Sequence, residues 1–364
     1  MRIGVLTGGG DCPGLNAVIR AVAKTAWTEG DGVELVGIRN GFHGLVTGRL
    51  EELAAGDVSG ILPRGGTILG SSNRDDPFDW DGPIDGEHVT GDVSARALAS
   101  AEKWGLDGVV VIGGDGTQDI GHRLAQRSGG SLGVVGVPKT IDNDLRATDR
   151  TFGFDTAVGI ACEAIDRIHT TAESHHRVMF VEVMGRTAGW IALHAGLAAG
   201  GDVILIPEIP FTTASVARAV QHRRERGKNF SIVVVAEGAA PQGGDPVFRI
   251  AADGSKRKSL GGISRIVAEE VERLAKVETR TTILGHVQRG GTPSAFDRVL
   301  ATRMGVCAAR EALAGRWGTL AALRGNSVVP VPLEDAVGAP RLVDPEGELV
   351  SAARATGVRF GDEE

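Results

Sequence analysis

The sequence predicts an α/β protein of two similar three-layer lobes, with mostly parallel sheets flanked by helices. Three observations predict it. The chain has 364 residues, more than one ordinary hydrophobic core organises. Short β-branched runs recur along it with helical patterns between them, the alternation that builds parallel sheets. Several of those runs end in glycine-rich turns, and open α/β sheets bind ligands beyond the carboxyl ends of their strands.

In order along the chain, strands are expected at IGVLT from Ile3, VELVGI from Val33, GVVVIGG from Gly108 and LGVVGVP from Leu132. VMFVEV from Val178, VILIP from Val203 and SIVVVAEG from Ser231 follow. These runs are apolar on both faces, as buried parallel strands are. After the first strand, Leu15, Val18, Ile19, Val22 and Ala26 fall at three- and four-residue spacing and build one helical stripe. The stretch Arg64 to Asp92, rich in Gly, Asp and Pro, reads as an extended connection or flap, and Pro241 to Gly262 as a surface excursion. There is no fixed repeat of roughly 20 to 50 residues and no low-complexity tract, which excludes a solenoid.

Composition narrows the partners. A formal charge of −7 opposes nonspecific nucleic-acid binding while allowing a local pocket for an anionic metabolite. No apolar run reaches the roughly 20 residues that cross a bilayer, and the opening MRIGVLTGGGD lacks a signal peptide's apolar core. A cytoplasmic protein with no membrane partner is expected. Three scattered cysteines, Cys12, Cys162 and Cys307, make neither a disulfide framework nor a zinc site and are expected as small buried hydrophobes.

Chemistry concentrates in the turns. In GGGDCPGLN, Gly8, Gly9 and Gly10 leave backbone amides free to approach a phosphate ahead of a helix N-terminus; a plain tight turn would also use them. GVVVIGGDGT places Asp115 after a strand, where a carboxylate can hold Mg2+ while neighbouring amides contact phosphate; alternatively Asp115 caps the next helix. GVPKTIDNDL is the sharpest signal, with Lys139, Thr140, Asp142 and Asp144 in six residues. Phosphoryl transfer needs these parts: one carboxylate for a hydroxyl proton, one for the metal, a lysine and a hydroxyl for phosphate. DND is also a good turn sequence, but a turn needs neither the lysine nor the threonine.

Arg177 opens the predicted strand RVMFVEVMGR and Arg186 ends it beside Met184 and Gly185, positions from which guanidinium forks bind phosphate. ETRTTILGHVQRGG adds Arg280, His286 and Arg289 around a further strand, and Glu237 follows the strand in VVVAEGA. Singly, each of these reads equally as a surface or structural residue.

GGDGT, PKTIDND, VEVMGR, AEGA and LGHVQRGG occur in the order found in the 6-phosphofructokinases, and nearly the whole chain resembles that family. The resemblance is weakest from about Ser71 to Arg96 and after about Pro332. It implies transfer of a phosphoryl group to the 1-hydroxyl of fructose 6-phosphate, with Mg2+ as cofactor. Asp142 would be the general base, and Thr140, Arg186 and Lys139 would complete the catalytic set. Arg177, Arg280, His286 and Arg289 would hold the sugar phosphate, with Met184, Gly185, Arg186, Glu237, Thr140 and Asp142 as further substrate contacts. Gly9, Gly10, Arg74, Gly114, Asp115, Gly116 and Thr117 would bind the donor, and Asp115 and Asp144 the metal. The donor lobe would be residues 1–150 with 290–335 and the sugar-phosphate lobe 151–289 with 336–364. A homodimer or homotetramer is implied, with residues matching Arg177 and Arg280 donated by a neighbour.

Two positions bear on the donor. Pyrophosphate users of the family typically carry Asp after the metal-binding Asp, where ATP needs room; here it is Gly116, which favours ATP. Lys139 resembles the lysine that holds pyrophosphate, where common ATP users have glycine. ATP is expected, because a bulky anion excludes it physically whereas a lysine contacts the phosphates of either donor; pyrophosphate is the alternative. In GGTILGSSNRDDPF the family's donor arginine falls on Asn73, and Arg74 is expected to replace it. Rival readings are a diacylglycerol- or NAD-kinase-like enzyme, opposed by PKTIDND with GHVQRGG, and an inactive sugar-phosphate sensor, opposed by Asp142. Another sugar phosphate, such as sedoheptulose 7-phosphate, is a further alternative.

Overall fold

The structure is a computed structural model that describes residues 1–250 and 258–363. The chain divides into two units. The first comprises Met1–Ile141, Leu145–Asp155 and Arg289–Pro340; the second comprises Asp142–Asp144, Thr156–Gln288 and Arg341–Glu364.

The first unit opens with β1 (Arg2–Thr7), α1 (Leu15–Glu29), β2 (Glu34–Ile38), α2 (Phe42–Thr47) and β3 (Leu50–Glu52). A hairpin of β4 (Trp80–Ile84) and β5 (Glu87–Gly91) leads to α3 (Ser94–Lys103), β6 (Gly108–Gly113), α4 (Asp115–Arg127) and β7 (Gly133–Pro138). Helix α5 (Phe154–His175) lies in the second unit but for its first two residues. There it is followed by β8 (Val178–Val183), α6 (Trp190–Ala198), β9 (Val203–Leu205), α7 (Thr213–Glu225) and β10 (Ser231–Ala236). A short pair, β11 (Phe248–Ile250) and β12 (Lys258–Leu260), precedes α8 (Ile263–Ala275) and β13 (Thr279–Ile283). The first unit closes with α9 (Ala295–Leu313), β14 (Thr319–Arg324) and β15 (Ser327–Pro332), and the second with α10 (Glu348–Ala355).

Among the described residues the first unit's main sheet runs β15-β14-β7-β6-β1-β2-β3, parallel except for its two edge strands. The second unit's runs β13-β8-β10-β9 and is parallel throughout. Both units are α/β with mostly parallel sheets, as the sequence predicts, and all seven expected strands are present. Leu6, Val109, Val111 and Val134 pack against Phe42, Leu45 and Leu124 on one face of the larger sheet. Leu15, Val18, Ile19, Val22 and Ala26, the expected stripe of α1, are all buried. In the smaller sheet Phe180, Leu205, Val233 and Val235 meet Val216, Val220, Val267 and Val271 of α7 and α8.

Residues 64–92 are not a bare flap, because they contain the β4–β5 hairpin. Trp80, Gly82 and Ile84 alternate inward, and Asp85 and Gly86 take φ of 53° and 88° at the turn, the conformation that Asp-Gly supplies in hairpins. Of the excursion expected at 241–262, residues 251–257 lie outside the described residues. No helix among the described residues is long and apolar enough to cross a membrane.

The sheet orders fix where ligands go. In the first unit, neighbouring β1 and β6 lead to strands on opposite sides, so the turns after them meet at the topological switch point. These are the turns that carry Gly8–Gly10 and Gly114–Thr117.

Candidate functional site

In the first unit, five of the predicted residues converge on the turn after β1. Lys139, buried directly past β7, donates from Nζ to the Gly10 carbonyl at 2.6 Å. Arg289 donates from Nη1 to the Asp11 carbonyl at 3.3 Å. A Cβ on Gly9 would lie 3.2 Å from Lys139 Nζ, and one on Gly10 would lie 2.9 Å from Arg289 Nη1. The glycines therefore let two cations reach the turn. Thr117 stands behind it, where a Cβ on Gly8 would fall 2.6 Å from its methyl.

The turn amides are not all free, contrary to expectation. Gly8 N–H donates to the Ile112 carbonyl at 2.9 Å and Gly9 N–H to the Ser72 carbonyl at 2.8 Å. Ser71 Oγ in turn donates to the Gly9 carbonyl. An extended turn against a strand end spends its donors on its neighbours. Arg74 lies two residues beyond this clamp, exposed, its amide on Ser72 Oγ.

At the end of β6, Gly114 is the residue before α4 and Asp115 is the first helical residue, so Asp115 does not cap the helix. Its carboxylate is part-buried in the first turn, where the helix N-terminus favours an anion. Gly116 is exposed; apart from its chain neighbours and the helix backbone, nothing among the described residues lies within 4 Å of where its Cβ would be. Thr140 is buried and its carbonyl accepts from Thr151 Oγ1 at 2.8 Å.

In the second unit, Asp142 is buried and Asp144 half-buried, separated by Asn143 with a φ of 54°. Arg341 holds this turn by its backbone. Strand β8 ends at Val183, so Arg177 precedes it and Met184, Gly185 and Arg186 follow it. Arg186 N–H donates to Glu237 Oε1 at 3.1 Å, joining the ends of β8 and β10. Gly185 has a φ of 145°, and its Cβ would meet the Ala188 carbonyl at 2.5 Å, so the bend requires glycine. Arg177 and Arg280 share one carboxylate, Glu278, with Arg177 at 3.0 Å. The hydrogen bond from Arg177 holds that carboxyl below the usual range, with Arg280 adding to it. His286 is exposed in the short 3-10 turn Gly285–Arg289, and Arg289 belongs to the first unit, apart from its expected companions.

Sequence reasoning passed over three residues. Glu278 was legible as a carboxylate between two arginines. Glu182, buried on β8, accepts from Gly262 N–H at 2.7 Å and from Ser264 N–H and Oγ–H at 3.0 and 2.6 Å, capping α8 from outside it. Arg341 lies far along the chain from the turn it holds and carries no local signal.

Among the described residues no group of three or more His, Cys, Asp or Glu side chains forms a metal cage. Mg2+ does not need one: it is commonly bound through one or two carboxylates, with waters and substrate phosphates completing its octahedron. Part-buried Asp115 and half-buried Asp144 supply oxygen donors of that kind.

Glycine turns at a switch point, with cations drawn onto them, define an α/β protein that handles phosphorylated small molecules. The family model for phosphofructokinase matches residues 2–312. The chain is 52% identical over 366 residues, covering 100% of it and 98% of the relative, to an ATP-dependent 6-phosphofructokinase of Chloroflexus aurantiacus. It is 51% identical over 347 residues, 95% of it and 97% of the relative, to a pyrophosphate–fructose 6-phosphate 1-phosphotransferase of Amycolatopsis methanolica. Among solved structures, the phosphofructokinase of Pichia pastoris in the T-state superposes with a TM-score of 0.79 at 32% identity, over 98% of this chain and 36% of that one. This chain belongs to the phosphofructokinase family. The resemblance read from its motifs is borne out.

Proposed function

We propose that the chain is an ATP-dependent 6-phosphofructokinase, which moves the γ-phosphoryl group of ATP to the 1-hydroxyl of fructose 6-phosphate. The observation that carries the choice of donor is the open space at Gly116. Its backbone has no positive φ and its Cβ position is empty, so neither conformation nor packing requires glycine there. Gly also costs up to about 1 kcal/mol in a helix relative to Ala. A glycine kept against that cost leaves volume for the nucleotide. In this reading Gly9, Gly10, Gly114, Gly116, Thr117 and Arg74 bind the donor, and Arg177, Arg280, His286, Arg289, Met184, Gly185, Arg186 and Glu237 bind the sugar phosphate.

Asp142 takes the proton of the 1-hydroxyl, with Thr140, Arg186 and Lys139 completing the catalytic set. Mg2+, held by Asp115 and Asp144, supplies charge neutralisation on the transferring phosphates when bound. Catalysis is then positioning plus electrostatic stabilisation of a loose transition state. The active form is a homodimer or homotetramer in the cytoplasm, with Arg177 and Arg280 serving a neighbour's site. Pyrophosphate use has one observation in its favour, the buried Lys139 ammonium on the turn after β1.

The test is fructose 1,6-bisphosphate formation from fructose 6-phosphate and Mg2+, with ATP and pyrophosphate run in parallel to saturation. Turnover with ATP alone supports the proposal, and turnover with pyrophosphate alone replaces it. Asp142→Ala should abolish turnover while sparing sugar-phosphate binding; full turnover would remove Asp142 from the base role.

A further inference from the structure

The geometry points to Arg341 as a positioning residue for the Asp142–Asp144 turn, acting through the turn's backbone. The inference rests on the proposed role of Asp142 and Asp144. It concerns a residue beyond 2–312, the span the family model matches.

Arg341 takes hold of two successive carbonyls. Its guanidinium donates to the Asn143 carbonyl from Nη2 at 2.8 Å and Nε at 3.3 Å, and its own N–H donates to the Asp144 carbonyl at 2.6 Å. Asn143 is buried with a φ of 54°, a conformation that a non-glycine residue keeps when its surroundings over-determine it. Fixing the carbonyls on either side of the 143–144 peptide link fixes that peptide plane. The directions in which the flanking carboxylates leave the backbone follow from it.

Arg341 is itself anchored. Its guanidinium lies 4.8 Å from the centre of the Trp190 ring, and the Trp190 indole N–H donates to the Arg341 carbonyl at 2.9 Å. Two residues on, Val343 N–H donates to Glu208 Oε1 at 2.8 Å, and both oxygens of Glu208 also accept from Gly189 N–H, at 2.9 and 3.1 Å. Trp190 and Gly189 stand at the start of α6. The clamp is therefore built on a helix end and a half-buried carboxylate, and a small shift of such supports is enough to misplace reacting groups.

Arg341→Ala, Arg341→Lys and Trp190→Phe would be made in the full chain, and kcat, KM for fructose 6-phosphate and Tm measured for each. Arg341→Ala should lower kcat by about 10- to 100-fold, with KM changed by no more than about twofold. Added guanidinium ion should restore part of the lost kcat. Arg341→Lys, which offers a point charge in place of a fork, should retain an intermediate kcat. A fastener of the C-terminal segment alone would show a lowered Tm with unchanged kcat below it, and that result overturns the inference. If the alanine variant fails to fold, a folded lysine or Trp190→Phe variant with wild-type kcat overturns it equally. Asp142→Asn is run alongside. Loss of its turnover with normal Arg341→Ala sinks the positioning role alone, whereas a fully active Asp142→Asn sinks the base assignment beneath it.

Discussion

Replacing Gly116 with Asp tests the donor assignment where structure and energetics make opposite demands. The site is the second residue of α4, exposed, with no contact within 4 Å of a new Cβ. The folded state should therefore accept the side chain. Asp loses less than Gly in helix propensity and stands at the positive end of the dipole, together about 0.5–1 kcal/mol of added stability. For a unit of this size that is a rise in Tm of roughly 1 to 4 °C. The effect on ATP should run the other way. A carboxylate about 4 Å from a nucleotide phosphate is repelled by about 4 kcal/mol at an effective dielectric of 20. That corresponds to roughly a thousandfold loss in kcat/KM for ATP. Pyrophosphate, which lacks the group that would meet the carboxylate, keeps Lys139 and should be used no worse than before. The assay is kcat/KM for each donor at saturating fructose 6-phosphate, with Tm by calorimetry. Undiminished ATP use in a folded Gly116→Asp protein would refute the argument that the empty volume serves the nucleotide.

Arg280→Ala should raise KM for fructose 6-phosphate by about 10- to 100-fold, the worth of a charged hydrogen bond, with a smaller change in kcat; an unaltered KM in steady-state assays counts against its role. Glu182→Ala strips three donors at the head of α8 of their acceptor, which should cost roughly 3 kcal/mol in urea melts; a loss under about 1 kcal/mol would show that water replaces the carboxylate. Burial pushes the Cys12 thiol up to about 12 and the Cys307 thiol up to about 11, from 9.0. The folded state thus binds those protons more tightly than the unfolded one, and the stability they contribute is whole below pH 9 and lost as pH rises towards 11 to 12. The urea midpoint should fall above pH 9 and fall less steeply in Cys12→Ala, and equal slopes in the two proteins would contradict the assignment.

The parallel core was legible because strands buried on both faces must be apolar throughout, and runs such as Val109–Ile112 and Ile232–Val235 have no other use. Edges were harder. TLAALR in β14 is rich in helix formers and is held as a strand by β7 and β15, so tertiary pairing overrides local preference. β15 carries Pro330 and Pro332, which an edge strand tolerates and which hide it from a pattern search. The Asp85-Gly86 hairpin signal was present and was masked by the prolines and charges around it. At the site, residues at strand ends were readable because the fold class says where ligands sit. Glu182 and Arg341 were not, since their partners stand 80 and 198 residues away and such pairings leave no local trace. The reading of free amides at Gly8 and Gly9 failed for a related reason: a glycine's freedom shows in the sequence, but the carbonyl that takes its N–H does not.

The two features that bear on the donor act on different terms of the same free energy. Lys139 adds attraction, and attraction to a phosphate is shared by every phosphorylated donor, so it raises affinity without choosing. Residue 116 acts by exclusion: a side chain there charges and fills volume, and only a donor that enters that volume is penalised. Overall similarity cannot stand in for this difference, because relatives named for either donor match the chain to almost the same degree. The deciding residue must be one whose chemistry separates the donors, and of these two only Gly116 does so. Its glycine is required by neither backbone nor packing and is unfavourable in a helix, so what remains for it to provide is room.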